Sequence, residues 1–119
     1  MSETKNPAQF ILASSSPRRR DLLAQIGLLP DQIVPAEIDE TPKVRELPVK
    51  LASRLARDKA YAVSTKFPGK WVLGADTVVA CGRRVLGKPE DRGQAGTFLR
   101  LLSGRRHRVI GGICLIQPD

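Results

Sequence analysis

A short apolar run, Phe10-Ile11-Leu12-Ala13, breaks directly into Ser14-Ser15-Ser16-Pro17 and then into Arg18-Arg19-Arg20. This join restricts the fold more than any other stretch. An apolar run of that length reads as a buried strand. Pro17 suits the first turn of a helix, with Ser16 as its N-cap. Leu22, Leu23 and Ile26 put apolar side chains on one helix face, and Gly27 supplies the stop. A strand feeding a small-residue loop and then a helix is the opening of an α/β unit.

The rest of the chain keeps the alternation. Gln32 to Ala36 is expected to form a short strand, and Glu37 to Leu47 an acidic, proline-bearing loop. Val49, Leu51, Ala52, Leu55, Ala56, Ala60 and Val63 recur at helical spacing, so a helix is expected from Pro48 to about Ser64. Phe67-Pro68-Gly69 ends it. Trp71 to Ala80 reads as a largely buried strand interrupted at Gly74-Ala75-Asp76-Thr77, turning at Cys81-Gly82-Arg83-Arg84 into Val85-Leu86 as a hairpin. A third helix is expected from Arg92 to Leu102, stopped by Ser103-Gly104, and a last strand from His107 to Ile116. With 119 residues, the expectation is one α/β domain over residues 1–119, a mixed sheet with flanking helices, and a flexible tail over residues 1–8.

The net charge of +8 favours polyanions: nucleic acid, acidic membranes or phosphorylated small molecules. Aromatic residues are few (Phe10, Phe67, Phe98, Trp71, Tyr61), which argues against the stacking platforms of single-strand binders. No stretch reaches the roughly 18 apolar residues of a membrane span. The expected setting is the cytoplasm, with Cys81 and Cys114 as reduced thiols. A single histidine, His107, excludes a His-rich metal site. No Gly-x-x-x-x-Gly-Lys-Ser/Thr loop and no Gly-x-Ser-x-Gly elbow occurs.

Ser14 to Arg20 is the first candidate site. Free N–H groups and the positive end of the helix dipole favour an anion there. Arginine adds two-pronged geometry suited to phosphate oxygens. Arg18, Arg19 and Arg20 at that end are unfavourable for the helix alone, and a bound anion would offset the cost. Asp76 is the second candidate, because a carboxylate within an apolar strand must be paired or hold a cation. It could hold a metal ion, activate water or merely close a turn. Lys59, Lys88 and Glu40 each read by themselves as surface residues, and Arg54 and Arg57 as a solvated helix face.

Taken in order, these stretches resemble the Maf family of nucleotide pyrophosphatases. Ile11-Leu12-Ala13-Ser14-Ser15-Ser16-Pro17-Arg18-Arg19 is similar to its N-terminal signature. Arg54-Leu55-Ala56-Arg57-Asp58-Lys59-Ala60 is similar to its second block. Leu73-Gly74-Ala75-Asp76-Thr77-Val78-Val79, with Leu86-Gly87-Lys88-Pro89-Glu90-Asp91, resembles its most diagnostic one. Leu101-Leu102-Ser103-Gly104 through His107-Arg108-Val109 resembles the next.

The resemblance implies a Maf/inosine-triphosphatase-like fold and hydrolysis of a nucleoside triphosphate to monophosphate and pyrophosphate. It implies a divalent cation, Mg²⁺ or Mn²⁺. Asp76 falls on the general base, and with Glu40 on the metal-binding carboxylates. Ser14, Arg18, Arg19, Lys59 and Lys88 fall on the phosphate-holding positions. Arg18 and Thr77 fall on positions tied to base selection, Thr77 pointing to the branch acting on dTTP and UTP. Family members are commonly dimers and are linked to septum formation. Two departures are visible. The family's later Asp-Lys-Ala-Gly-x-Tyr-x-x-Gln-like block does not occur, so the expectation is the N-terminal portion of the fold. Gly111 stands where the family usually carries Thr. The alternatives to catalysis are a binder of nucleic acid or of a cell-division partner, and an inactive truncated homologue.

Overall fold

The computed structural model describes residues 9–82, 84–86, 91–103 and 107–118. The elements run β1 (Phe10–Ala13), α1 (Pro17–Gln25), β2 (Gln32–Ile33), α2 (Pro48–Ser64), β3 (Trp71–Cys81), β4 (Arg84–Leu86), α3 (Arg92–Leu102) and β5 (Arg108–Ile116). They form the expected mixed α/β arrangement. β2, β1 and the first half of β3 are parallel neighbours, while β4 and β5 join β3 antiparallel.

β3 is the axis of the sheet. One edge pairs with β5 continuously from Val72 to Ala80. The other pairs with β1 only from Trp71 to Gly74, and with β4 only from Val79 to Cys81. Between those partners, no strand among the described residues pairs with this edge at Ala75 to Val78. The expected interruption at Gly74–Thr77 is not a break in β3, which β5 holds extended throughout.

Local chemistry explains most boundaries. Ser16 takes the N-cap position of α1 with extended backbone, but its side chain makes no capping bond. Gly27, at φ 79, closes the helix, with the Gly27 N–H donating to Ala24 O and the Leu28 N–H to Leu23 O. β2 is shorter than Gln32–Ala36: the Val34 N–H still donates to Leu12 O, but Pro35 has no N–H to continue the ladder. Gly82, at φ 62, makes the expected turn into β4. Asp91 caps α3 by accepting the Gln94 N–H at 2.7 Å.

α2 covers one face of the sheet. Leu51, Ala52 and Leu55 pack with Val78, while Ala60 and Val63 pack with Ile11, Ala13 and Val72. Between these two clusters helix and sheet approach closely. A Cβ on Gly74 would strike the Ala56 carbonyl oxygen and come to 2.7 Å from the Ala60 nitrogen; one on Gly112 would lie 2.6 Å from the Ala52 carbonyl carbon. Glycine is required at both positions for that approach. The opposite face differs from expectation. α1 buries none of its residues, leaving Leu22 and Ile26 exposed, as is Ile113 of β5. Among the described residues no helix is long and apolar enough to cross a membrane.

Candidate active site

Ala75–Val78 continues β3 past the carboxyl end of β1, and ligands of open α/β sheets commonly bind outside the carboxyl ends of such strands. Ser14, one residue past β1, is buried there. Its Oγ accepts from the Ser16 N–H at 3.0 Å and from Arg19 Nη1 at 3.2 Å. Arg19 Nη2 donates to Thr77 Oγ1 at 3.2 Å. Arg19 thus links the start of α1 to β3 beyond its pairing with β1.

Asp76 lies on the α2 side of the same stretch. Residues 72, 74, 76, 78 and 80 alternate onto the buried face, so its carboxylate points into the narrow zone between the two apolar clusters. Lys59 Nζ donates to Asp76 Oδ1 at 2.7 Å, with side-chain exposures of 13% and 9%. A charge buried that deeply requires a partner, and each supplies the other's. Asp76 Oδ2 has no hydrogen-bond donor among the described residues. Glu40 Oε1 lies 4.0 Å from Lys59 Nζ, on a side chain that remains 57% exposed.

The structure therefore gathers Ser14, Arg19, Glu40, Lys59, Asp76 and Thr77. Arg18 is exposed and makes no hydrogen bond or ion pair among the described residues. Lys88 lies outside them. Glu40, Asp76 and Thr77 line a cavity of about 620 Å³ with Leu55, Val78 and Leu86. That is within the roughly 300–1,000 Å³ of small-molecule sites. A larger depression of about 790 Å³ lies over Thr41, Arg54, Asp58 and Tyr61 and does not include Asp76. No three His, Cys, Asp or Glu side chains converge as a metal cage among the described residues.

Lys59, read by itself as a surface residue, is instead largely buried, and periodicity is the signal that could have placed it. It follows Leu51 by eight residues and Leu55 by four, and precedes Val63 by four, which sets it on the apolar stripe of α2. Arg54 was misread as part of a solvated face. Its side chain is 13% exposed and its guanidinium grips Glu46 by Nε–Oε2 at 2.7 Å and Nη2–Oε1 at 2.9 Å. Hydrogen bonds from Arg54 and the Lys43 N–H lower the Glu46 carboxyl to about 2, and Glu46 raises the Arg54 guanidinium above its ordinary range. Arg54 to Asp58 is an i,i+4 pair visible in sequence. The eight-residue reach back to Glu46 across a loop leaves no periodic trace.

The sequence pattern of the family described as Maf-like protein matches residues 9–119. The chain belongs to the Maf-like protein family. A protein of Rhodospirillum rubrum named dTTP/UTP pyrophosphatase is 59% identical over 117 residues, which is 98% of this Maf-like chain and 56% of that protein. One of Paramagnetospirillum magneticum with the same name is 62% identical over 112 residues, 94% of this chain and 59% of the relative. A third, from Roseobacter denitrificans and again named dTTP/UTP pyrophosphatase, is 59% identical over 106 residues, 89% of this chain and 56% of the relative. This Maf-like chain thus spans somewhat more than half the length of the curated relatives it matches.

Proposed function

We propose that this protein hydrolyses nucleoside triphosphates of the dTTP and UTP class at the α–β phosphate bond, giving monophosphate and pyrophosphate. The observation that carries the reading is the buried Lys59–Asp76 pair at 2.7 Å, on the part of β3 that also carries Thr77, the partner of Arg19. Membership of the Maf-like family, and the names of the relatives, fit the same chemistry.

Each residue has a distinct task. Arg19 and the start of α1 bind the phosphate chain, since a guanidinium and free helix N–H groups both suit phosphate oxygens. The Ser14 and Thr77 hydroxyls hold the Arg19 guanidinium in place until phosphate arrives. Lys59 adds a second cation against the charge that develops on the leaving pyrophosphate. Asp76, whose Oδ2 is open among the described residues, orients the attacking water and accepts its proton. Lys88, on the family's phosphate-holding position, is assigned to the leaving group. Arg18 and Thr77 take the base-selecting positions.

A divalent cation, Mg²⁺ or Mn²⁺, is part of the proposal. Mg²⁺ is typically held by one or two carboxylates together with substrate phosphates, and Asp76 with Glu40 fits that donor set without an all-protein cage. Such an ion, when bound, neutralises phosphate charge and acidifies water. The cytoplasm, which supplies the substrates, is the proposed setting.

A substrate panel with pyrophosphate detection in the presence of Mg²⁺ tests the reading. Pyrophosphate released stoichiometrically with monophosphate, fastest from dTTP or UTP, is the expected result. Release of inorganic phosphate instead, or binding without turnover across the panel, would overturn it.

A further inference from the structure

We infer that Arg54 and Glu46 form a clamp that positions Glu40 at the Lys59–Asp76 centre, a role resting on the hydrolase reading for its kinetic consequence. Neither residue touches the reacting groups. Both are positioning residues.

Glu40 sits in a loop, residues 37–47, that has little else to hold it. Ile38 packs against the Leu51–Leu55–Val78 cluster at one end and Pro48 is buried at the other. Between them the chain is exposed apart from partly covered Glu46, with Val44 at 91%. Burial of apolar surface therefore cannot fix the loop's path, and polar contacts must.

Those contacts converge on Arg54. Its guanidinium holds both Glu46 oxygens and also donates through Nη2 to the Thr41 carbonyl at 3.1 Å. Thr41 directly follows Glu40, and its N–H donates to Asp39 Oδ1 at 2.9 Å. Glu40 is thereby flanked by tied residues. Glu46 in turn accepts the Lys43 N–H at 3.0 Å, and its own N–H donates to Lys43 O at 3.0 Å. Within that closed turn Arg45 takes φ 60, the positive-φ residue other than glycine among those described. Such a conformation persists only where its surroundings over-determine it.

The clamp and the centre share one rigid element. Arg54 and Lys59 both lie on α2, so fixing Thr41 to Arg54 fixes Glu40 relative to Lys59. Only a planar fork can satisfy Glu46 and Thr41 together; a lysine at this position has one donor centre for the same task.

Amide hydrogen exchange on the full chain, comparing wild type with Arg54→Gln, Arg54→Lys and Glu46→Gln, tests the clamp directly. Residues 39–46 should exchange roughly tenfold faster or more in Arg54→Gln and Glu46→Gln, with no further gain when the two are combined, while β3 keeps its protection. Arg54→Lys should fall between. Unchanged exchange over residues 39–46 would overturn the inference. Should Arg54→Gln fail to fold, Glu46→Gln and Arg54→Lys decide the same point. The kinetic arm uses dTTP with Mg²⁺. Arg54→Gln should lower kcat more than it moves KM, and adding it to Glu40→Gln should change nothing more. Additive losses would sever the clamp from Glu40. If the wild-type chain releases no pyrophosphate, the hydrolase reading fails, and the exchange arm still decides the clamp.

Discussion

Replacing the partners of the Lys59–Asp76 pair one at a time should be far more damaging than replacing both. At 2.7 Å and an effective dielectric of about 20, the Coulomb attraction is on the order of 6 kcal/mol. Desolvating each ion costs several kcal/mol in return, so the net value of the intact pair is small. Removing one partner strands the other charge, at a cost of about 3–5 kcal/mol. The two single changes should also be unequal. With Asp76→Asn, Lys59 still has Glu40 at 4.0 Å, which puts this variant at the low end of that range. With Lys59→Met, Asp76 has no other cation partner among the described residues, which puts it at the high end. Lys59→Met with Asp76→Leu should be more stable than Lys59→Met or Asp76→Leu alone, a coupling of about 3 kcal/mol in magnitude. Urea unfolding followed through Trp71, the single tryptophan, reads all of these in a two-state transition. Single variants that each cost under about 1 kcal/mol and simply add would refute the reasoning, because that is how an exposed pair behaves.

Three further outcomes follow from the same geometry. Gly74→Ala should destabilise by about 1–3 kcal/mol or more, since its Cβ meets α2 backbone; a neutral Gly74→Ala in the same urea assay would contradict the close approach. Gly111→Ala and Gly111→Thr should stay within about 0.5 kcal/mol of wild type, because a Cβ there meets nothing within 4 Å; a large loss in either would show the site is not open. The Glu46 carboxyl is lowered from 4.5 to about 2 by Arg54 and the Lys43 N–H, so its contribution is complete above pH 4.5 and fades as pH falls towards 2. Amide protection of residues 41–47 should decline through that window in wild type and show no such step in Glu46→Gln; a flat wild-type profile would exclude the linkage.

The parts of the fold legible in the sequence are those where one period governs a long stretch. The 48–64 helix is one, because its apolar stripe repeats over several turns. The strand–serine–proline–arginine join is another, because each residue there has a local conformational reason. β3 was harder to read. Gly74 and Asp76 resemble a break, yet the strand continues because β5, far along the chain, pairs across it. The site was legible as residue types and became a constellation only through topology. Ser14 and Asp76 are far apart in sequence and adjacent because β1 ends at Ala13 beside Gly74. Arg54 was the clearest miss. Its partners Glu46 and Thr41 come from an aperiodic loop, and no pattern in the helix tells a clamped arginine from a solvated one.

In the proposed reaction Asp76 activates water for cleavage of the α–β bond. The most direct measurement compares wild type and Asp76→Asn with dTTP and Mg²⁺, following pyrophosphate release alongside nucleotide binding. Asp76→Asn should lose turnover by about 10²-fold or more, the low end of a general base's contribution. Binding should survive, because Arg19 and Lys59 remain. Pyrophosphate release by Asp76→Asn at the wild-type rate would contradict the assignment outright.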